Sequence, residues 1–273
     1  MRIAIAQHQV VPGDVETNRE TVLSLLREAL SHRPDVVLFP EEMLVGYAAH
    51  SPSLAEPLSG GTTVGLVQAE LHGSQTRALL GLTESGEDGS RWITAVLVGA
   101  EGVIARYRKT HLWSATPGLR HEPTWYRPGE ELVTFEIGGD RCGVMICYDG
   151  AFPEMTRAYA DLGCTVLFWL NNRLSRGPQE SHHLAVDNSM VMAVSCCCGP
   201  DETGEHAGGG SHVTDHDGTV LAERWDEPGI IVADVEAGKV PAVRARNPLY
   251  AGRRTGLYGR YLVANEPARR SWG

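Results

Sequence analysis

The sequence predicts a mixed α/β protein built as a four-layer α-β-β-α sandwich. Short apolar runs that suit strands outnumber segments with helical spacing, and several runs are joined in pairs by the glycine-containing turns of hairpins. The helical segments fall singly between strands, which places helices on the outer faces of sheets. Hydrophobic residues make up 42% of the 273 residues, so a large core can be buried. We expect a single domain over 1–273, with about 241–273 as a C-terminal extension packed on the domain or on a partner subunit.

The first half of the chain predicts two strand-helix passages followed by two hairpins. "RIAIAQHQ" alternates as a strand does, and Asp14 can cap the next helix, in which Val22, Leu26 and Leu30 recur at helical spacing. "DVVLFP" is a continuous apolar run, which is typical of a strand covered on both faces. The predicted elements that follow are a helix over 64–72, a strand over 78–83, a hairpin of "WITAVLV" and "VIARYRK" about Gly102, and a hairpin of "LVTFEI" and "RCGVMICY".

The second half predicts helices that alternate with strands, and then a hairpin. In order, the predicted elements are a helix from Pro153 to about Leu162, a strand "CTVLFWL", a helix from about Gln179 to Met190, a strand "VMAVSCCC", a hairpin about Asp217-Gly218 and a strand "GIIVADV". The tail from Pro241 has no strong period.

The charge balance and the cysteine pattern restrict the class of protein. With 24 basic and 34 acidic residues the net charge is −10, which argues against a partner that is nucleic acid or an anionic membrane. No apolar stretch approaches the roughly 20 residues of a membrane helix. Six cysteines without regular spacing favour reduced thiols, and the N-terminus resembles an opening strand rather than a leader. We therefore expect a cytoplasmic protein.

Neither a metal nor a cofactor is expected. "SCCCG" (195–199), followed by three histidines, invites a zinc interpretation, but adjacent residues of an extended segment point to opposite faces. Three consecutive cysteines therefore converge poorly on one ion, and no Cys-x-x-Cys pair is present. A partly buried strand is the preferred interpretation.

Three polar residues stand where apolar strand segments end. Glu41 follows "DVVLFP", Lys109 follows "VIARYR" and Cys147 follows "GVMI". Strand ends at one edge of a sheet are where α/β proteins place functional groups on a rigid scaffold. Each residue alone also has an ordinary structural explanation, since such a Glu or Lys is usually solvated and such a Cys usually packs in the core.

The combination of the three has a chemical logic that the single residues lack. A thiol is mostly protonated at neutral pH, so it needs a base or a nearby cation. A desolvated carboxylate can take that proton and later deliver it to a leaving amine. An ammonium group favours the thiolate and the oxyanion of a tetrahedral intermediate, and the backbone N–H of Tyr148 can be a second donor. Glu41, Lys109 and Cys147 together therefore suit acyl transfer through a thioester.

These segments resemble a known family. "FPE" (39–41), "YRKTHL" (107–112) and "ICYDGAFPE" (146–154) look like the three signature segments of the nitrilase superfamily of carbon–nitrogen hydrolases, in the right order. Nearly the whole chain takes part, and the later matching passages are 122–131, 187–190, 209–223 and 253–258. The resemblance implies the α-β-β-α sandwich and dimerisation through the helices after the nucleophile. We accordingly expect a homodimer or a higher homo-oligomer.

The resemblance also implies roles for particular residues. Glu41 would be the general base and acid, Lys109 the oxyanion stabiliser and Cys147 the nucleophile. Glu41 is preferred over Glu42 because the family's glutamate directly follows the proline. Glu122 matches a further glutamate that positions the lysine or the attacking water.

The branch within the family is indicated by Cys-Tyr-Asp at 147–149, which looks like the amidase types. We expect hydrolysis of a small non-peptide amide, with release of ammonia or an amine. The alternatives are an N-carbamoyl amide hydrolase, a nitrilase, an acyl-group transferase and a catalytically silent binding protein. Two departures from the family are Gly150-Ala151, where many members have Leu-Arg, and a proline-free "WLNNRLSRG". The candidates for substrate contact are Tyr47, Trp113, Tyr148, Asn171, Asn172 and Arg173.

Overall fold

The described part of the chain consists mainly of strands, with helices between them. The computed structural model describes residues 1–46, 51–114, 121–172, 177–200, 204, 206–247, 249 and 252–260. The strands are β1 (Arg2–Gln9), β2 (Val36–Leu38), β3 (Arg77–Ser85), β4 (Arg91–Gly99), β5 (Gly102–Arg108), β6 (Thr134–Ile137), β7 (Asp140–Ile146), β8 (Val166–Asn171), β9 (Val191–Pro200), β10 (His206–Gly208), β11 (Ser211–Thr214), β12 (Val220–Arg224) and β13 (Gly229–Asp234). The helices are α1 (Val15–Ser31), α2 (Thr62–Glu70), α3 (Pro153–Asp161), α4 (Pro178–Asn188), α5 (Val240–Arg246) and α6 (Thr255–Tyr258).

The strands form two sheets that are joined along one short seam. The first sheet has the order β5-β4-β3-β2-β1-β13, and the second has the order β6-β7-β8-β9-β11-β12. β10 pairs with the last residues of β9. In each sheet three neighbouring strands are parallel, β1 to β3 in the first and β7 to β9 in the second, and antiparallel strands flank them. The seam is a parallel pairing of His8 and Gln9 in β1 with Cys197 and Cys198 in β9.

The core lies both between the sheets and beneath the helices. Ile3 and Ile5 of β1 belong to the cluster that also contains buried residues of the second sheet. Ala4 and Ala6, on the opposite face of the same strand, pack in a cluster with Leu26 of α1. Burial on both faces is the physical reason for continuous apolar runs in these strands. The predicted α-β-β-α sandwich is confirmed.

The predicted elements correspond closely to those observed, and their ends have physical causes. Asp14 caps α1, since its Oδ1 accepts a hydrogen bond from Thr17 N at 3.1 Å. β2 is shorter than the apolar run because Pro40 has no N–H to donate to a ladder, so the chain leaves the sheet just before Glu41. The tail was predicted to lack a period, yet it contains α5 and α6. Val240 is the one buried residue of α5, so no repeating apolar face marks that helix in the sequence.

Within the described ranges, no helix is both long enough and apolar enough to cross a membrane.

Candidate active site

The ends of β2, β5 and β7 bring Glu41, Lys109 and Cys147 together. The Nζ of Lys109 lies 2.9 Å from Oε1 of Glu41. The thiol of Cys147 donates a hydrogen bond to the Glu41 carboxylate. Glu41 and Lys109 are completely buried, whereas Cys147 keeps 8% of its surface exposed. Of these three residues, Cys147 is therefore the one that keeps some exposed surface.

Lys109 is a buried cation held between two carboxylates. Its Nζ donates to Glu41 at 2.9 Å and to Oε1 of Glu122 at 2.7 Å. Burial by itself disfavours the ammonium form, but the charges of Glu41, Cys147 and Glu122 outweigh burial and raise the pKa of Lys109 well above its ordinary value. The group therefore stays positively charged at neutral pH.

Glu41 is fixed through both carboxylate oxygens. Oε1 accepts from Lys109, and Oε2 accepts from the backbone N of Asn172 at 3.0 Å. Burial raises the pKa of Glu41, and the charge of Glu122 raises it further, while Lys109 and the hydrogen bond from Cys147 oppose the shift. A carboxylate whose pKa is raised accepts and holds a transferred proton more readily than an ordinary glutamate does.

The neighbouring Glu42 faces a different set of groups. Its Oε1 accepts from the hydroxyl of Tyr126 at 2.9 Å and from that of Thr83 at 3.1 Å. Burial and the charges of Glu41 and Glu122 raise the pKa of Glu42 to about 8, so it is largely protonated at neutral pH. The backbone of Glu42 has a φ of +48°, in the left-handed region, and the side chains of the two adjacent glutamates face different groups.

Glu122 connects Lys109 to the segment that carries Trp113. Its Oε1 accepts from Lys109, and its Oε2 accepts from the backbone N of Trp113 at 2.8 Å. Its own backbone N donates to Trp113 O at 3.0 Å. Glu122 opens a short 3-10 helix, Glu122–Thr124, and is buried. The contact with Lys109 expected from the resemblance is therefore present.

Cys147 stands on a strained elbow between β7 and α3. Its φ is +44°, a conformation that non-glycine residues rarely adopt and that clusters at functional sites. Its carbonyl accepts from Nε1 of the buried Trp169 at 3.0 Å, and Asp149 Oδ2 accepts from Ile146 N at 2.9 Å. A Cβ at Gly150 would overlap the Trp169 ring. The glycine that departs from the family's leucine is thus required here by the tryptophan that supports the elbow.

The predicted substrate contacts lie in different surroundings. The rings of Trp113 and Tyr148 meet edge to face with centroids 5.0 Å apart, and both are partly exposed beside Cys147. Asn171 ends β8 and is buried, and Asn172 is partly exposed and contacts Glu41 through its backbone. The other two candidates, Tyr47 and Arg173, lie outside the described residues.

One residue that sequence reasoning missed is Gly81, in the middle of β3. A Cβ there would overlap the carbonyl oxygen of Pro40 and lie 2.6 Å from Cα of Glu41. The main chain that carries Glu41 can therefore approach β3 only because this position is glycine. The signal was available, since an isolated glycine inside a strand marks a bulge or a close backbone approach.

The consecutive cysteines Cys196, Cys197 and Cys198 lie in β9, as predicted, and all three are buried and outside any disulfide. Among the described residues, one group could offer three ligand atoms to a metal ion, namely Asp215, His216 and Asp217 in the turn between β11 and β12. It lies apart from the cysteines, and a small acidic cluster at a hairpin turn is common without an ion.

Comparison with known proteins identifies the family to which this site belongs. A family model described as carbon-nitrogen hydrolase matches residues 2–245. The chain belongs to the carbon–nitrogen hydrolase family. The omega-amidase NIT2 of Homo sapiens is 30% identical over 94% of this chain and 96% of its own length. The (R)-stereoselective amidase of a Pseudomonas species is 31% identical over 95% of this chain and 93% of its own.

Solved structures of amidases also resemble this protein. An amidase from Nesterenkonia sp. superposes with a TM-score of 0.81 at 26% identity, covering 96% of each chain. A Glu-to-Gln variant of the amidase from Nesterenkonia sp. AN1 superposes with a TM-score of 0.80 at 25% identity, over 96% of this chain and 97% of its own. That variant carries the acetamide moiety of fluoroacetamide added covalently at its active-site cysteine. The predicted membership of the nitrilase superfamily and the predicted enzyme class, a hydrolase of non-peptide C–N bonds with amidase relatives, are confirmed.

Proposed function

We propose that this protein hydrolyses a small non-peptide amide through a thioester on Cys147 and releases ammonia or an amine. The observation that carries the proposal is that Cys147 and Lys109 both contact the Glu41 carboxylate, with Cys147 as the member that keeps some exposed surface. A nucleophile, a base and a fixed positive charge within hydrogen-bonding reach are what acyl transfer requires. The covalent adduct at the active-site cysteine of the related amidase supports the thiol as nucleophile.

In the acylation step, the Glu41 carboxylate takes the proton of the Cys147 thiol, and the sulfur forms a bond with the amide carbonyl carbon. The carbonyl electrons move to oxygen, and the resulting oxyanion is stabilised by the Lys109 ammonium and the backbone N–H of Tyr148. When the oxyanion collapses, the C–N bond breaks, and the leaving nitrogen takes the proton from Glu41. The products are the thioester and free ammonia or amine.

In the deacylation step, a water molecule replaces the amine. Glu41 takes one proton from the water while the water oxygen attacks the carbonyl carbon of the thioester. Lys109 again stabilises the oxyanion. The C–S bond breaks, the sulfur recovers its proton from Glu41, and a carboxylic acid leaves. Glu122 keeps Lys109 charged and in place, because its carboxylate accepts from the same Nζ.

Substrate recognition is assigned to residues around the nucleophile. We propose that Trp113 and Tyr148 contact the substrate with their partly exposed rings, and that Asn171 and Asn172 border the pocket from the end of β8. Tyr47 and Arg173 remain proposed contacts. An N-carbamoyl amide, a nitrile or an acyl acceptor other than water would use the same groups, and a silent binding protein remains the non-enzyme alternative.

We further propose a single-domain cytoplasmic homodimer, or a higher homo-oligomer, that binds no nucleic acid. Apolar side chains are exposed near the helices expected at the interface, since Leu162 after α3 is 44% exposed and Leu249 is 52% exposed. The described tail packs on the same region, because Arg253 pairs with Asp161 at 2.5 Å and Arg244 donates to Asn188 O at 3.1 Å. These contacts support an extension from about 241 that reinforces this side of the domain.

The test is ammonia release from a panel of small amides by wild type, Cys147→Ala and Cys142→Ala. Cys142 lies in β7, the strand that leads to Cys147, and is buried. We expect Cys147→Ala to abolish release and Cys142→Ala to retain it. Mass spectrometry should detect the acyl group on Cys147 in the wild type. Release that persists in Cys147→Ala contradicts the proposal.

A further inference from the structure

Asp149 is a fully buried carboxylate surrounded by hydrogen-bond donors, and the proposed mechanism does not use it. It is 0% exposed. Oδ2 accepts from the Tyr107 hydroxyl at 2.7 Å and from Ile146 N at 2.9 Å. Oδ1 accepts from the Thr110 hydroxyl at 2.9 Å and from His111 N at 2.9 Å, and His111 Nδ1 lies 3.0 Å away. Both oxygens are therefore filled by groups that belong to neighbouring segments.

These donors come from two places in the chain that matter for the chemistry. Tyr107, Thr110 and His111 flank Lys109, at the end of β5 in the first sheet. Ile146 directly precedes Cys147, at the end of β7 in the second sheet. One carboxylate thus ties residues on both sides of the lysine, through two hydroxyl groups and the main chain of His111, to the main chain of Ile146 next to the thiol. Hydrogen bonds to an ionised acceptor are roughly twice as strong as those between neutral groups.

The Tyr107 hydroxyl is protonated, as a donor to Asp149 must be. Burial, together with the charge of Asp149, raises the pKa of the Tyr107 hydroxyl well above its ordinary value. The hydroxyl therefore keeps its proton and serves as a donor to Asp149. The Tyr107 hydroxyl also lies 3.1 Å from Thr110 Oγ1, so the two hydroxyl groups that donate to Asp149 lie next to each other.

We propose that Asp149 is a positioning residue that holds the Cys147 sulfur and the Lys109 ammonium at the separation that acyl transfer needs. The proposal rests on the proposed function of that site. Both groups must meet one substrate carbonyl, the sulfur at carbon and the ammonium at oxygen, so their spacing decides whether the oxyanion forms within reach of its cation. Glu41 fixes the lysine from one side, and Asp149 fixes the backbones of both groups from the other.

The Asp149 carboxylate also orients a group of packed aromatic rings beside Cys147. The His111 ring, held at Asp149 through Nδ1, stacks on Phe152 with ring centroids 3.9 Å apart. Phe152 meets Tyr148 edge to face at 5.2 Å. A displaced Asp149 therefore disturbs the residue that directly follows Cys147 as well as the residue that precedes it.

The principal test is Asp149→Asn, which keeps the size of the side chain but places an amide NH₂ against donors. We expect kcat to fall by about 100-fold with KM changed by less than about threefold, because misplacement of reacting groups acts on the transition state. We also expect the second-order rate of Cys147 alkylation by iodoacetamide, followed by mass spectrometry, to fall by about tenfold as the thiol loses its partners. Both rates at the wild-type level overturn the proposal.

A second pair of variants keeps the proposal falsifiable if Asp149→Asn does not fold. Tyr107→Phe removes one donor to Asp149, whereas Tyr159→Phe removes an equally buried hydroxyl that donates to Val144 O at 2.6 Å on β7. We expect Tyr107→Phe to lower kcat and the alkylation rate several-fold and Tyr159→Phe to leave both near wild type. Equal effects of the two variants overturn a specific positioning role.

The two proposals fail in distinguishable ways. Alkylation needs no amide substrate, so it reports on Asp149 even if no tested amide is hydrolysed. If wild type hydrolyses amides through Cys147 and Asp149→Asn does so equally well, the proposed function stands and the positioning role is wrong. If Asp149→Asn loses alkylation but Cys147→Ala retains hydrolysis, the positioning effect is real and the proposed function is wrong.

Discussion

The two sheets of this protein share one plan but contribute different chemistry. Each has three parallel strands with antiparallel strands at the sides. The first sheet supplies both charged partners, Glu41 after β2 and Lys109 after β5, and the second supplies Cys147 after β7 and the backbone of Asn172 after β8. The ion pair is therefore assembled within one sheet, while the thiol arrives from the other. The candidate active site therefore lies where the two sheets meet.

The contacts between the sheets at this point are few and specific. The seam is a two-residue pairing of β1 and β9, and Cys197 in that seam donates its thiol to Glu41 O at 3.7 Å. Asn172 N reaches Glu41 from the second sheet, and Asp149 reaches the Lys109 segment. Replacement of Lys109 should thus act on charge, and displacement of the main chain that carries the site residues should act on geometry.

Removal of the cation should have the largest effect. Lys109→Met leaves the carboxylates of Glu41 and Glu122 buried without the ammonium group that both of them contact. We expect turnover to fall by at least about 100-fold and the free energy of unfolding to fall by about 3–5 kcal/mol. Steady-state kinetics and denaturant titration measure the two quantities.

The chain's only other lysine, the exposed Lys239, provides the matched control. Lys239→Met should change neither quantity appreciably. A Lys109→Met enzyme with near-normal turnover would contradict the assigned role of the ammonium.

A backbone displacement on the same sheet should have the next largest effect. In Gly81→Ala the new methyl group overlaps Pro40 O and pushes the main chain of Glu41 away from β3. We expect kcat to fall roughly tenfold to 100-fold, because a small misplacement of a reacting group lowers the rate of the chemical step by such factors. Gly65→Ala is the control, because a Cβ at this helical position meets nothing within 4 Å, and we expect stability to rise by about 0.5–1 kcal/mol. Equal kinetics for the two variants would show that Glu41 does not depend on this approach.

Glu42→Gln should have the smallest effect on activity. It should change instead how the free energy of unfolding depends on pH. The folded pKa of Glu42 is about 8, against 4.5 for an ordinary glutamate. Between these pH values the native state holds a proton that the unfolded state has lost, so each rise in pH favours unfolding. The stabilisation is complete below pH 4.5 and is lost as the pH rises through about 8.

We expect the free energy of unfolding of wild type, relative to Glu42→Gln, to fall by roughly 1 kcal/mol or more across that window. Denaturant titration at several pH values measures this difference. A difference that is constant with pH would show that Glu42 does not hold the proton.

Much of the fold could be predicted from the sequence, because each element carries a local signal. The cap at Asp14, the turn at Gly102 and the apolar runs of β7 and β8 all depend on neighbouring residues in the chain. α5 and α6 could not be predicted, since Val240 is the one buried residue of α5 and no residue of α6 is buried, so neither helix has an apolar stripe. Arg244 of α5 and Arg253, which precedes α6, bond to the domain instead. The hydrogen bonds of Asp149 were equally invisible, because its donors include residues 42 and 39 positions away in sequence.

The sequence by itself determined the family, the order of strands and helices, and the three strand ends that carry Glu41, Lys109 and Cys147, because periodicity and short signature segments are local properties of a chain. Only the tertiary structure decided which groups surround each of the two adjacent glutamates, which glycines permit close approach, and which buried carboxylate joins the two sheets. These depend on distances between residues far apart in the chain, and such distances are set by packing.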